Sequence, residues 1–162
     1  MSDFRVGYGE DIHALVAGRP LFLGGVQIPF EKGLLGHSDA DCALHALSDA
    51  ILGACALGDI GKYFPPSDPS IAGIASHLIV EKCLGLAAEK GYFLSNIDLS
   101  ISCEKPHLAP YIDSMRSALA AMCRLEKDRV SVKAMTNEGF DAVGEGKAIR
   151  AVAVVLMEQK HE

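Results

Sequence analysis

Near the start of the chain an Asp and a His stand two apart, Asp11-Ile12-His13, closing a strand-like run Arg5-Val6-Gly7-Tyr8-Gly9-Glu10. Side chains alternate across a strand with period two, so the Asp and the His point to the same face. A second polar cluster, His37-Ser38-Asp39-Ala40-Asp41, follows with His45 behind it. A third ligand from a helix beside the strand would complete a set of one carboxylate and two imidazoles with a fourth position open. Structural zinc sites are usually four-ligand and rich in Cys, whereas a three-ligand set with an open position suits catalytic zinc. These residues point first to a metal-dependent enzyme.

Each cluster also has an ordinary reading. Asp11 and His13 could be exposed polar residues at a strand end, His45 a satisfied histidine on a half-buried helix face, and His37-Ser38-Asp39 a plain helix cap. His45 lies four residues after Asp41, which puts both on one helix face. Ser38 at the helix start would leave free N–H groups and the positive end of the helix dipole, a setting that favours bound phosphate. Lys133-Ala134-Met135-Thr136-Asn137-Glu138-Gly139 leaves a strand and enters a loop, where hydroxyls and carboxylates commonly face a ligand; a solvated strand end is the alternative. Cys103-Glu104-Lys105-Pro106-His107-Leu108-Ala109-Pro110 is too irregular for a helix or strand. It either walls a pocket or connects two elements.

The elements that must position these groups follow from periodicity and turn chemistry. Residues 4–10 and 20–28 read as strands, with Gly24-Gly25 as a tight hairpin between Leu21-Phe22-Leu23 and Val26-Gln27-Ile28. A helix is expected over 39–56, with Leu44, Leu47, Ile51 and Ala54 at helical spacing, Ser38 as N-cap and Asp41 completing a capping box. Further helices are expected over 74–90 and from about Pro110 to 125, and strands over 92–103, 130–135 and 148–157. This order suits a two-layer α+β sandwich, a mostly four-stranded mixed sheet with helices on one face, all in a single domain spanning 1–162. Ala151-Val152-Ala153-Val154-Val155-Leu156-Met157 is apolar at every position, which calls for burial on both faces. Self-association would supply the second cover in a chain of 162 residues.

Composition narrows the class. A chain this long can bury roughly two thirds of its unfolded surface. No apolar run approaches the roughly 18 residues of a membrane span, and the start lacks a basic segment followed by an apolar core, so a cytoplasmic location is expected. The five cysteines, Cys42, Cys55, Cys83, Cys103 and Cys123, form no CxxC pair and read as reduced thiols in the core or in a site wall. Net charge is −6, with no Trp and no basic run, which argues against a nucleic-acid partner. An acidic chain without a Walker loop or GxGxxG pattern must neutralise a phosphate ester with metal ions and backbone N–H groups.

Four segments together resemble a known family: Asp11-Ile12-His13, Gly33-Leu34-Leu35-Gly36-His37-Ser38-Asp39-Ala40-Asp41, Leu57-Gly58-Asp59-Ile60-Gly61-Lys62 and Lys133-Ala134-Met135-Thr136-Asn137-Glu138. They are similar in order and spacing to the 2-C-methyl-D-erythritol 2,4-cyclodiphosphate synthases of the non-mevalonate isoprenoid pathway, across essentially the whole chain. Gly144-Glu145-Gly146 also fits that family's GEG turn. The resemblance implies a homotrimer whose sheets face an apolar central channel, able to hold an isoprenoid diphosphate, with active sites at subunit interfaces. It implies attack of the 2-phosphate of 4-diphosphocytidyl-2-C-methyl-D-erythritol 2-phosphate on the β-phosphorus, with release of CMP.

Carried over by motif, Asp11, His13 and His45 would bind zinc and Glu138 a second divalent ion, Mg2+ or Mn2+. His37 and Thr136 would act on the transition state. Asp11, Ile12, His13, His37, Ser38 and Phe140 would meet the substrate, with Asp59, Ile60, Gly61, Phe64, Pro65, Pro66, Ser67 and Asp68 around the erythritol. Cys103, Glu104, Lys105, Pro106, His107, Leu108 and Ala109, with Ala134 and Met135, would hold the cytidine of the neighbouring subunit. The chain departs from the family's common pattern in a loop about two residues shorter after Glu138 and in Val143, where many members carry an Arg. Two rival readings keep parts of this picture: a phosphohydrolase using the same metal set, and a non-catalytic trimer that binds a lipid in its channel.

Overall fold

Glycine decides how closely the first strand and the first helix approach. In the computed structural model, which describes residues 3–159, β1 (Phe4–Ala17) runs beneath α1 (Cys42–Ala54). A Cβ on Gly7 would lie 1.8 Å from the Ala50 carbonyl oxygen, and one on Gly9 would lie 2.1 Å from that of Ala46. Only a bare backbone fits at either position. Period two then carries Asp11 and His13 onto the same helix-facing side, while Val6, Tyr8, Glu10 and Ile12 face away. The strand does not stop at Asp11-Ile12-His13, as the sequence suggests, but continues through it to Ala17.

After β1 come the hairpin strands β2 (Leu21–Leu23) and β3 (Val26–Ile28), then β4 (Lys32–Leu34). The one-turn helix α2 (Ile60–Tyr63) follows α1, and α3 (Ser76–Glu89) precedes β5 (Tyr92–Ser102). Helix α4 (Ile112–Cys123) leads to β6 (Val130–Met135), and the short α5 (Asp141–Gly144) leads to β7 (Ala148–Gln159). The main sheet has five strands in the order β4-β1-β7-β5-β6, with β2 and β3 paired separately. It is mixed: β5 and β6 are parallel, with α4 in the crossover between them, and the remaining pairs are antiparallel. The expected four strands are thus joined by β4, a three-residue edge too short to show a period.

Helix α1 packs on β1 and β7, α3 on α1 and β5, and α4 on β6, so the helices cover one face. Between the layers lies an apolar core that includes Leu44, Leu47, Ile51, Ile97, Leu99, Ile101, Ile149 and Met157. Alternation along β7 leaves Val152, Val154 and Leu156 on the other face beside Val6, Tyr8 and Ile12. There Val6 is 69% and Tyr8 58% exposed, so this side of the sheet is apolar and uncovered in one chain. A salt bridge of 2.5 Å from Arg150 to Glu10, which also accepts the Tyr8 hydroxyl at 2.9 Å, interrupts the patch.

Helix α1 begins later than its periodicity suggests. Its N-cap is Asp41, not Ser38, and no Ser38–Asp41 capping box forms. The Asp41 side chain accepts the N–H of Leu44 at 3.1 Å, and reaches back to those of Gly24 and Gly25 in the hairpin at 3.0 and 2.8 Å. One buried carboxylate therefore fastens the helix start to the β2–β3 turn. Burial pushes this carboxyl above its usual range, against the pull of the three amides. Among the described residues no helix is long and apolar enough to cross a membrane.

Candidate metal centre and adjoining clefts

Asp11 and His13 on β1 meet His45 on α1 in a compact cluster. Asp11 Oδ2 lies 2.8 Å from His13 Nε2 and 3.0 Å from His45 Nδ1, and the two imidazole nitrogens are 3.3 Å apart. Zinc bonds of about 2.0–2.1 Å in tetrahedral array set ligand atoms about 3.3–3.4 Å apart, so this triangle is close to the face a zinc ion needs. Among the described residues it is the one group of His, Cys, Asp and Glu side chains close enough to hold a metal ion. The donor set, one carboxylate and two imidazoles, fits a divalent transition metal with an open position.

The surrounding groups turn the ring nitrogens inward. His13 Nδ1 lies 2.7 Å from the Leu35 carbonyl oxygen, which can only accept, so Nδ1 carries a proton and Nε2 is the nitrogen turned to the cluster. Leu35 is fixed because its own N–H donates to the Ala14 carbonyl, continuing the β1–β4 ladder. Gly36 lies against His13 as well, where a Cβ would come 3.1 Å from Cε1. His45 turns Nε2 toward the hydroxyls of Ser38 and Ser76, each at 3.0 Å. Burial alone would raise the Asp11 carboxyl, but the hydrogen bonds and charges of His13 and His45 outweigh it and hold it low. Its hydrogen bond to Asp11 raises His13, against the opposing effect of burial.

His13 and His45 sit in the wall of a cleft of about 310 Å3. Its lining also contains His37, Ser38, Ile60, Gly61, Phe64, Pro66, Ser67 and Asp68, gathered from the predicted set. Helix α2 is tied down where Asp49 of α1 accepts the Ile60 N–H at 2.8 Å. Asp59 caps the same short helix through the Lys62 N–H, and Asp68 is engaged with the Ser70 amide and hydroxyl. The Ile12 side chain lies on the opposite sheet face, because it alternates with Asp11 and His13. Asp41 does not share the site with His45 as their spacing suggests, since its carboxylate is turned to the hairpin.

The remaining predicted residues gather elsewhere. A second cleft of about 230 Å3 is lined by Cys103, Glu104, His107, Leu108, Ala109, Ala134, Met135 and Thr136, among others. Glu104 accepts the Asn137 N–H at 2.6 Å, joining the 103–109 loop to the one after β6. The Lys105–Pro106 peptide is cis, and neither residue lines that cleft. Thr136 donates to Glu138 at 3.1 Å, and both are exposed. Glu138 is not part of the metal-binding triangle, and Phe140 stands 76% exposed. The two clefts share no lining residue, so within one chain His37 and Thr136 belong to different sites. Periodicity gave no sign of the Leu35 carbonyl, Gly9 or Ser76, because each acts through a partner remote in sequence.

Comparison with known proteins points the same way. The family model described as the YgbB family matches residues 4–158. The 2-C-methyl-D-erythritol 2,4-cyclodiphosphate synthase of Geobacter metallireducens is 53% identical over 156 residues, covering 96% of this chain and 99% of that protein. Its counterpart from Moorella thermoacetica is also 53% identical, with 94% of each chain covered. Among solved structures, a CDP-bound 2C-methyl-D-erythritol-2,4-cyclodiphosphate synthase superposes with a TM-score of 0.88 at 40% identity, over 94% of this chain and 99% of the other. The Plasmodium falciparum IspF–CDP complex matches with a TM-score of 0.85 at 30% identity, over 98% and 97%.

Proposed function

The chain belongs to the YgbB family, and on that premise we propose that it converts 4-diphosphocytidyl-2-C-methyl-D-erythritol 2-phosphate to 2-C-methyl-D-erythritol 2,4-cyclodiphosphate and CMP. The observation that carries this is the Asp11–His13–His45 triangle in contact with the 310 Å3 cleft. In the reaction an oxygen of the 2-phosphate forms a bond to the β-phosphorus, and the bond from that phosphorus to the oxygen of the departing CMP breaks. The attacking phosphate is already ionised at neutral pH, so the protein need not remove a proton. Its tasks are positioning and charge stabilisation, and oriented intramolecular attack is worth roughly 7–11 kcal/mol.

Asp11, His13 and His45 would hold zinc, and Glu138 would hold a second divalent ion, Mg2+ or Mn2+. Such ions supply Lewis-acid polarisation and a template for phosphate oxygens. Ser38 and His37 at the cleft would meet the phosphates, and Thr136 would donate to the developing charge. Asp59, Ile60, Gly61 and the 64–68 stretch would enclose the erythritol, and Phe140 would also meet the substrate. The 103–109 loop, Ala134 and Met135 would take the cytidine.

These assignments make one working site only if two chains contribute to it. What supports a trimer with shared sites is the division of the predicted residues between two clefts, together with the uncovered apolar sheet face. With the three sheets facing inward, Val6, Tyr8, Ile12 and Val154 would line a channel able to take an isoprenoid diphosphate. Each chain would serve as a single domain of that assembly.

The deciding experiment is incubation of the purified protein with the diphosphocytidyl substrate, zinc and magnesium, followed by phosphorus NMR. Signals of a cyclic diphosphate and CMP are expected. Inorganic phosphate as the product would instead identify a phosphohydrolase.

A further inference from the structure

Ser76, the first residue of α3, is fully buried, and both of its polar hydrogens go to one residue. Its backbone N–H donates to Asp39 Oδ2 at 3.0 Å, and its hydroxyl donates to Asp39 Oδ1 in a short contact. Asp39 is held in turn by the Asp41 N–H, 3.1 Å from Oδ1. An ionised carboxylate only accepts, so the hydroxyl proton of Ser76 is committed. What the Ser76 oxygen turns toward His45 Nε2, 3.0 Å away, is therefore a lone pair.

We propose that Asp39 and Ser76 are a positioning pair that favours the Nε2–H tautomer of His45, the form whose Nδ1 lone pair can bind a metal beside Asp11 and His13. The opposite tautomer lets Nδ1 donate to the Asp11 carboxylate 3.0 Å away, but it leaves the Nε2 lone pair against that of Ser76 at the same distance in a buried site. It would also place a proton on the nitrogen that must bind the metal. The pair has a second effect, on Ser38. The Ser38 hydroxyl oxygen lies 3.0 Å from His45 Nε2 and accepts the Ala40 N–H at 2.9 Å. Because Nε2 is a donor, Ser38 has no need to spend its own proton there. That proton is available to the Ser76 oxygen, 3.4 Å away, or to an anionic group in the cleft, which Ser38 lines. Asp39 thus acts on both the metal face and the phosphate face of the site without touching either ligand.

This inference rests on the reading of Asp11, His13 and His45 as metal ligands, and two readouts on the full-length protein keep the two apart. The first is the zinc dissociation constant, measured by competition with a chromophoric chelator. The second is the tautomer of His45 in metal-free protein, read by nitrogen-15 NMR of the imidazoles. Wild type is compared with Ser76→Ala and with Asp39→Asn, which keeps the size of the side chain and carries the test if Ser76→Ala does not fold. Loss of an orienting partner typically weakens metal binding 10–100-fold, and a loss in that range is expected in both variants. Both variants should hold more Nδ1–H at His45 than metal-free wild type, because Asp11 still favours that form and the pair no longer opposes it. Wild-type zinc affinity in the variants, or weakened affinity with a tautomer population unchanged from wild type, would each overturn the pair's role. A wild type that binds no zinc would overturn the ligand reading, and the tautomer measurement would then decide the pair by itself.

Discussion

At the scale of single residues, three donor atoms within 3.3 Å of one another are the centre of the chemistry. Each has its direction set by another group: Asp11 by the two imidazoles, His13 by the Leu35 carbonyl, and His45 by hydroxyls at Nε2. Removing His45 leaves one carboxylate and one imidazole, too few for tight zinc binding. Metal analysis of His45→Ala after dialysis should find well under one zinc per chain, and full retention would remove His45 from the ligand set. Thr136 is expected to behave differently, since its hydroxyl lies outside the triangle. Loss of one donor to developing charge costs roughly 2.7–4 kcal/mol, or 10²–10³ in turnover. Thr136→Ala should therefore keep its zinc while kcat falls by that factor, and an unchanged kcat would remove Thr136 from the reaction.

At the scale of elements, the distance between β1 and α1 decides whether His45 reaches Asp11. That distance is set by Gly7 and Gly9, whose missing side chains let the strand lie against the carbonyls of Ala50 and Ala46. A methyl at Gly9 would have to displace backbone, not a flexible side chain, and overpacking of this kind costs about 1–3 kcal/mol or more. Gly9→Ala should lower both the melting temperature and the zinc content, although residue 9 touches no metal. Calorimetry and metal analysis check this together, and a normal value for either would separate helix packing from site assembly. The same layer buries all five cysteines. Burial pushes Cys83, Cys103 and Cys123 up to about 12, and raises Cys42 and Cys55 as well. A thiol of pKa 12 is about one part in ten thousand thiolate at pH 8, and thiolate is the reactive form. An aromatic disulfide reagent at pH 8 should therefore find almost no thiol in native protein and five in denaturant.

At the scale of the whole molecule, one sheet face is covered by helices and the other is apolar and bare. Patches of this kind mark association surfaces. Sedimentation equilibrium is expected to give a mass three times that of the 17.2 kDa chain. Sharing of sites between chains makes a sharper demand. A His13→Ala chain retains an intact 103–109 loop, and a chain altered in that loop retains an intact metal triangle. Co-refolded mixtures of two such inactive proteins should regain part of the activity, because some interfaces pair one good half with the other. Inactive mixed trimers would show that each chain builds its own site.

Much of this was legible along the chain because its cause is local. Period two placed Asp11 and His13 on one face, helical spacing outlined α1, α3 and α4, and Gly24-Gly25 marked the hairpin, as found. The motif pattern around His37 and Lys133 carried the family. Tertiary structure decided what depends on partners distant in sequence. Ser38 and Asp41 are both good caps by residue type, and Asp41 prevails because the hairpin, 17 positions back, offers its carboxylate further amides. The β4 edge has too few residues to show a period, yet its ladder with β1 places the carbonyl that orients His13. Ser76 resembles any polar residue at a helix start until the fold sets it between Asp39 and His45. Residue type and spacing determine which chemistry a chain can carry, while packing selects which donors meet, since a hydrogen bond depends on distance in space and not along the chain.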